Sequence, residues 1–224
     1  MKLPQRHKDI LLKEKQEIES SGLTTFKGGY NWMNEEYKDV IIENLQVTNF
    51  TQMYPRIMIL LHNEGLIHIP EEVEKLEWFF SNMSNLKLMS MNANNTQSEY
   101  QKWKVWVNSL YGEFSKQTKG HLILGLMAKY LYQLYDEILE NNPHHIIYID
   151  TDQIISINKP NLLDCPLPYS TDTLTLGVFK QMKRYVVYDG YDIKVKGYPV
   201  RKHEEVKKEL QSRIREIKLD KIFS

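Results

Sequence analysis

The sequence predicts a mixed α+β fold in which a pair of helices is inserted between strands. Short runs rich in Val, Ile and Tyr, bounded by Pro, Gly and Asn, are typical of strands that end in turns. Longer segments with apolar residues three and four positions apart are typical of helices that pack on a core. Such segments separate the first strand from the later ones, which indicates a helical hairpin inserted into the core.

The first half of the chain contains most of the predicted helices. Gly22 is expected to end a charged first helix, and residues 26–30 form a glycine turn. Gly65 ends a short helix that follows Tyr54-Pro55, and Pro70, followed by two glutamates, suits the first turn of the next helix. Helices are therefore predicted over 5–20, 56–64, 70–91 and 97–114, and a strand over 38–50.

The second half begins with a helix over 121–141, and its nearly all-apolar first half predicts that it is buried. A β-hairpin is predicted next, with apolar strands on either side of an acidic turn. The remaining predicted elements are strands at 174–179, 184–188 and 193–195 and a charged amphipathic helix over 204–219.

Size and composition restrict the class of protein. The 224 residues suffice for one large or two small domains with a real core. The single cysteine, Cys165, excludes an internal disulfide and predicts a reduced, intracellular setting. No apolar run reaches membrane-spanning length, and the charged residues 1–20 do not form a signal peptide, so no membrane partner is expected.

The formal net charge of zero conceals an uneven distribution. From Lys180 to Ser224 there are 13 Lys and Arg against 7 Asp and Glu, and the remainder of the chain carries the compensating negative excess. A basic C-terminal segment is compatible with contacts to a phosphate backbone, although a solvated basic helix has the same composition.

The turn of the predicted hairpin carries two carboxylates, Asp150 and Asp152, in the stretch Tyr-Ile-Asp-Thr-Asp. Carboxylates this close repel each other unless a positive group lies beside them. A hard divalent cation with oxygen ligands is the usual solution, while a plain polar turn is the simpler alternative.

Two further stretches combine polar side chains with a defined spacing. Lys104 and Asn108 are four residues apart and Tyr111 is three further on, which places all three on one face of a predicted helix. Such a face suits a triphosphate and a sugar, although an ordinary polar helix face has the same pattern. The third stretch, residues 47–55, is a strand end that runs into a turn and a helix, where ligands often bind.

Taken in their order along the chain, the stretches at 47–55, 104–112 and 148–152 resemble the polymerase motifs of family B DNA polymerases. Residues 104–112 match Lys-x-x-x-Asn-Ser-x-Tyr-Gly, and residues 148–152 match Tyr-x-Asp-Thr-Asp. Residues 49–55 are similar to Asp-Phe-x-Ser-Leu-Tyr-Pro, and residues 26–29 to the Tyr-x-Gly-Gly segment that precedes the polymerase domain. Lys183-Arg184-Tyr185 resembles Lys-x-Tyr, and Lys196-Gly197 with Arg201 resembles the Lys-Gly stretch after it.

The resemblance implies a polymerase palm with an antiparallel sheet and reduced helical-hairpin fingers. It divides the chain into an N-terminal helix and first part of the palm (1–69), fingers (70–117), the rest of the palm (118–202) and a basic C-terminal helix (203–224). It implies that the exonuclease and most of the thumb are absent, and it leaves room for a second polypeptide that supplies them.

The resemblance also implies roles for individual residues, with Mg²⁺ or Mn²⁺ as cofactor and with primer-template DNA and a deoxynucleoside triphosphate as partners. Asp152, Asp150, Asn49 and the Phe50 carbonyl take the catalytic and metal positions. The implied nucleotide contacts are Lys104, Asn108, Tyr54, Phe50 and Lys87. The implied DNA contacts are Tyr111, Gly112, Lys183, Tyr185, Lys196, Gly197 and Arg201.

One departure decides between two functions. Asn49 stands where the family has an aspartate that ligates both metals, and Gln153 stands where it usually has serine. An amide oxygen can bind Mg²⁺ but contributes no charge. Three accounts stay open: an engineered block of turnover, a natural loss in a palm kept for binding, and weak activity with one well-held metal. The chain is therefore expected to be either a template-directed DNA polymerase or a non-catalytic nucleic-acid-binding or scaffold protein.

Overall fold

A computed structural model describes residues 2–22, 29–92, 98–117, 120–162 and 165–223, without the side chains of Asn92 and residues 217–223. Residues 26–28 of the predicted glycine turn lie outside this part of the chain. The α-helices are α1 Gln5–Ser21, α2 Met53–Asn63, α3 Pro70–Asn92, α4 Glu99–Phe114, α5 Gly120–Asn141 and α6 His203–Phe223. The strands are β1 Asn31–Met33, β2 Ile41–Phe50, β3 Ile146–Asp150, β4 Gln153–Ser156, β5 Tyr169–Gln181, β6 Arg184–Tyr188 and β7 Ile193–Lys196. Short 3₁₀ helices span Glu35–Tyr37 and Val200–Lys202.

The chain divides into two compact units and passes between them several times, once within α5. The first unit comprises Met1–Gly28, Gln52–Asp136 and Asp164–Leu167. The second comprises Gly29–Thr51, Glu137–Leu163 and Pro168–Ser224. The predicted four-part division of the chain stays a prediction.

The first unit is helical. α2 is buried along most of its length, and the part of α5 in this unit is largely buried, as its apolar sequence predicted. α3 and α4 pack through aromatic side chains, with the rings of Trp78 and Trp103 4.9 Å apart and Phe79 stacked on Trp103 at 5.9 Å. The predicted helix pair is therefore present. None of the helices in the described ranges is long and apolar enough to cross a bilayer.

The second unit contains a seven-stranded sheet in the order β1-β3-β4-β2-β5-β6-β7, and every strand pair is antiparallel. Alternate residues along a strand point to opposite faces of the sheet. One face carries an apolar cluster that includes Val47, Ile155 and Tyr185. On the other face, Val186 and its neighbours pack with Leu210 of α6. The predicted α+β class and antiparallel sheet are confirmed.

Several predicted boundaries are wrong: β2 begins at Ile41 rather than at residue 38, and α6 ends at Phe223 rather than at residue 219. Two others are wrong for identifiable reasons. α2 begins at Met53 rather than at residue 56, because Pro55 lies in the first turn, where no intrahelical partner for its missing N–H is needed. β5 begins at Tyr169 rather than at residue 174, because its first half pairs with the whole second half of β2. The short strand β1 was not predicted at all.

Candidate functional site

The acidic turn joins β3 to β4 and is held in place by its neighbours on both sides. The backbone N–H of Thr151 donates to the Tyr30 carbonyl at 2.8 Å. The N–H of Phe50, at the end of β2, donates to the Asp152 carbonyl, also at 2.8 Å. Main-chain bonds therefore fix the end of β2, which carries Asn49, against the Asp-Thr-Asp turn. Asp152 itself lies in the turn, and the strand that follows it, β4, pairs directly with β2.

Thr151 adopts a left-handed conformation, with φ of 56°. A β-branched residue is rarely found there, because its side chain crowds the backbone. Such a conformation costs on the order of 1–3 kcal/mol and persists only where the surroundings impose it. Here the surroundings are the two main-chain bonds that hold the turn.

Three residues of the site form a row across the sheet. Asp150 of β3 lies directly opposite Gln153 of β4, which in turn lies opposite Asn49 of β2. Directly opposed residues in an antiparallel pair point to the same face of the sheet. Asp150, Gln153 and Asn49 therefore share one face, which they also share with the buried ring of Tyr185.

A continuous chain of hydrogen bonds runs along this face. The Tyr185 hydroxyl donates to Gln153 Oε1 at 3.3 Å, and Gln153 Nε2 donates to Asn49 Oδ1 at 2.9 Å. Asn49 Nδ2 then donates to Asp172 Oδ2 at 3.4 Å. Each amide accepts on one side and donates on the other, so the chain is consistent in direction from the phenol to the carboxylate.

This chain links two of the residues that depart from the family pattern, Asn49 and Gln153. An aspartate at position 49 has no hydrogen to donate to Asp172, so the observed arrangement requires the amide. A serine at position 153 is too short to place both an acceptor near Tyr185 and a donor near Asn49. The two departures are therefore coupled to each other through a direct hydrogen bond.

The electrostatics of the turn are those of two adjacent carboxylates. Desolvation of its carboxyl raises the pKa of Asp152, and the charge of Asp150 raises it further, while Lys196 acts in the opposite direction. Burial likewise raises the pKa of Tyr148 to about 12 and raises that of Tyr185, with the charge of Asp150 contributing to both. Both phenols therefore stay protonated and act as neutral hydrogen-bonding groups at neutral pH.

The predicted DNA contacts of the second unit run from the β5–β6 turn, which contains Lys183, through the β6–β7 hairpin to Arg201. Gly197 has φ of 73°, and a Cβ there would lie 1.7 Å from the Lys183 carbonyl oxygen, so only glycine fits. Lys196 lies opposite Tyr185 in the sheet. Lys183, Lys196 and Arg201 are exposed, whereas Tyr185 is buried.

The predicted nucleotide contacts on α4 belong to the first unit. Lys104, Asn108 and Gly112 are exposed, and the opposite side of α4 is buried through Val107, Leu110 and Phe114. The ring of Tyr54 meets that of Tyr111 edge-on, with centroids 5.7 Å apart. The structure thus brings Tyr54, from the stretch at 47–55, into contact with Tyr111, from the stretch at 104–112.

The two remaining predicted positions lie in different units. Lys87 is exposed on α3 of the first unit. Phe50 is buried in the second unit, with its ring edge-on to Tyr169 at 6.2 Å. Its main chain is already tied to the acidic turn.

The donor set suits one hard divalent cation better than two. Asp150 and Asp152 supply carboxylate oxygens and Phe50 a nearby main chain, which is the chemistry that Mg²⁺ or Mn²⁺ prefers. In the described part of the chain, no group of three or more Asp, Glu, His or Cys side chains is arranged to hold a metal ion. The Asn49 oxygen already accepts a hydrogen bond from Gln153 and carries no charge.

Gln153→Ala is expected to lower the free energy of unfolding by about 1–3 kcal/mol, because the buried Tyr185 hydroxyl would lose its acceptor and Asn49 its donor. Urea denaturation would measure the change. Gln181→Ala, at an exposed glutamine of β5 in the same sheet, is the matched control. Equal stability of the two variants would show that the chain of hydrogen bonds does not stabilise the sheet.

Sequence reasoning missed Asp172. It lay before the predicted start of β5, and no motif included it. The alternating threonines at positions 171, 173 and 175 are a β-strand signal that would have extended the strand to include it. Its contact with Asn49, diagonal across two strands, has no local signal in the sequence.

No protein-family model matches the chain, and no curated protein matches it in sequence. Similar solved structures include three of phi29 DNA polymerase. The binary complex with primer-template DNA is 13% identical, with a TM-score of 0.54 over 89% of this chain. The ternary complex with incoming nucleotides has the same identity, TM-score and coverage. The orthorhombic crystal form is 12% identical, with a TM-score of 0.55 over 87% of this chain.

These structures support the family resemblance at the level of the fold. The chain has a polymerase-like palm fold, with a curled antiparallel sheet of seven strands. It spans 61% of the length of each of these three polymerases.

Proposed function

We propose that the chain is a minimal, family B-like palm and fingers protein for template-directed DNA synthesis. Its reaction would transfer a nucleotide from a deoxynucleoside triphosphate to a primer 3′-hydroxyl. The observation that supports this most directly is the acidic turn bonded to the end of β2 on a polymerase-like sheet. Primer extension with the unmodified chain, in Mg²⁺ and then in Mn²⁺, is the direct test.

In this proposal Asp152 is the main carboxylate ligand of Mg²⁺ or Mn²⁺, with Asp150 as a second and the Phe50 carbonyl as a neutral one. When bound, divalent cations in this class of reaction lower the pKa of the attacking hydroxyl and offset charge on the leaving pyrophosphate. The chain itself would position the acidic turn and keep the phenols of Tyr148 and Tyr185 protonated beside it. Asn49, which lies in the row with Asp150 and Gln153, contributes no charge to the site.

The triphosphate is proposed to bind Lys104 and Asn108, with Lys87 as a further cation. Tyr54, braced by Tyr111, would lie under the sugar. Lys104→Ala is expected to weaken nucleotide binding by about 1.5–3 kcal/mol, the range for a hydrogen bond to a charged group. Isothermal titration calorimetry with a deoxynucleoside triphosphate measures the change. Lys102→Ala, an exposed lysine two positions earlier and on another face of α4, should bind as the parent chain does.

The primer-template duplex is proposed to contact Tyr111 and Gly112 at the nascent base pair. Its backbone would contact the exposed Lys183, Lys196, Gly197 and Arg201. Tyr185 is buried and donates to Gln153, so it would support this surface from beneath rather than touch the backbone. Phosphate contacts of this kind position a duplex without reading its sequence. The positive excess after residue 179 supports this assignment.

Binding of primer-template DNA is expected to weaken steeply with salt, by nearly one unit of log–log slope for each phosphate contacted. Lys183→Ala and Arg201→Ala should each reduce the affinity and lower that slope by about one. Fluorescence anisotropy over a salt series measures both. Lys159→Ala, an exposed lysine outside the basic segment, is the control. If the affinity does not change with salt, the basic segment does not contact phosphates and is only a solvent-exposed surface.

A non-catalytic nucleic-acid-binding protein is the second candidate. The hydrogen-bond chain from Tyr185 to Asp172 favours it, because that chain satisfies the Asn49 position without a metal. The test is whether the chain binds DNA but does not extend primers in Mg²⁺ or in Mn²⁺. If this holds even when a second polypeptide supplies the thumb and exonuclease, the result would support this candidate over the first.

A further inference from the structure

Tyr191 is the most exposed large side chain of the β6–β7 hairpin, with 98% of its surface open to solvent. The backbone beneath it is firmly held. Asp189 Oδ1 accepts hydrogen bonds from the N–H groups of Tyr191 and Asp192, at 3.0 and 2.9 Å. Asp189 Oδ2 pairs with Lys194 Nζ at 2.9 Å. The turn that carries this uncovered ring is therefore held by hydrogen bonds, so a ligand would have to order the side chain but not the backbone.

Tyr191 lies at the rim of two open clefts of the second unit. The first, of about 400 Å³, contains Asn49 and the side chains of Lys194 and Lys196. The second, of about 480 Å³, lies between the hairpin and α6 and contains Lys207 and Arg215. Both volumes fall within the range of small-ligand sites. The ring thus stands at the rim of both clefts, and each cleft has basic side chains in its lining.

The charges within each cleft nearly balance. The first cleft also contains Asp172 and Asp189, and the second contains Asp192 and Glu204. Lys194 is paired with Asp189. A phosphate backbone would find hydrogen-bond donors here but no large positive excess. Stacking on the aromatic face would therefore supply most of the local affinity, as on the platforms of proteins that bind single strands.

We propose that Tyr191 stacks on an unpaired base of a single-stranded nucleic acid that passes from one cleft to the other. The inference rests on the proposed nucleic-acid function and adds a residue and a strand type to it. A duplex offers no free base face, because its bases already stack on one another. The contact therefore favours single strands and does not depend on base sequence.

The test compares Tyr191→Ala, Tyr191→Phe and Tyr191→Leu by fluorescence anisotropy, with a labelled oligothymidylate and a blunt duplex as probes. Tyr191→Ala should weaken single-strand binding about 10-fold or more and leave duplex binding unchanged. Phenylalanine should retain the affinity, because it keeps the ring, and leucine should lose it. Val40→Ala, another exposed apolar residue, should have no effect. The loss should be the same at low and high salt, because no ion pair is removed.

Several results would overturn the inference. If Tyr191→Ala binds the single strand as tightly as the parent chain, Tyr191 does not stack, while the proposed function stands. An equal loss on both probes, or full binding by Tyr191→Leu, would exclude stacking on an unpaired base. If the parent chain binds neither probe, the inference and the proposed DNA contacts fail together. Thermal unfolding of each variant should match the parent chain, because the side chain is fully exposed.

Discussion

Asn49→Asp is expected to raise the rate of nucleotide addition by a factor on the order of 10³, equivalent to several kcal/mol of activation free energy. The new carboxylate would add the anion that the Asp150–Asp152 turn lacks, beside a turn whose position is already fixed. One of its oxygens can keep the hydrogen bond from Gln153. The other would face Asp172, which lies 3.4 Å from the present amide nitrogen, and two opposed carboxylates favour a bound cation.

Primer extension with a labelled primer, in Mg²⁺ and in Mn²⁺, measures this effect. Asn44→Asp makes the same change of charge at an exposed position on the same strand and serves as the control. If Asn49→Asp and Asn44→Asp extend primers at the same rate as the parent chain, position 49 does not limit the reaction. The interpretation of this face as a two-metal site would then be wrong.

Asp152→Asn is expected to abolish whatever nucleotide addition the parent chain performs, and to do the same in the Asn49→Asp background. The replacement is nearly isosteric and leaves the main-chain bond from Phe50 in place, so the turn should keep its conformation. What it removes is one of the two carboxylates that would hold the cation in the proposed site, and cation stabilisation of the attacking and leaving oxygens is most of the proposed chemistry.

The same extension assay measures the loss, and DNA binding by anisotropy is the internal control. Affinity for primer-template DNA should be unchanged, because the proposed phosphate contacts lie in the basic segment rather than in the turn. Residual extension equal to that of the parent chain would remove Asp152 from the proposed site. If no variant extends primers while all bind DNA, the binding protein becomes the better explanation.

The fold was largely predictable from the sequence, because β2, the acidic hairpin and α5 have strong apolar patterns. Each pattern matches one regular element, and the order of the three motifs indicated which strands are neighbours. The start of α2 was predicted wrongly because Pro55 acts as a breaker only inside a helix, and here it lies in the first turn. β1 has three residues, too few for a period to be visible.

The composition of the candidate site was predictable only in part. Asn49 and Gln153 were recognised separately as departures, but their hydrogen bond depends on cross-strand register, which local sequence does not specify. The same is true of Asp172, which reaches Asn49 diagonally from β5. The ring of Tyr185 is buried, and a Lys-x-Tyr pattern in the sequence does not indicate this.

The main-chain bonds that join Phe50 and Tyr30 to the acidic turn have an evolutionary consequence. Because backbone groups set the position of these strands, the side chain at position 49 can change without displacing them, although an aspartate there gives up the hydrogen bond to Asp172. Asparagine and aspartate codons differ by a single nucleotide. A lineage that carries this palm is therefore one point mutation from exchanging a carboxylate for an amide in either direction, with the architecture retained throughout.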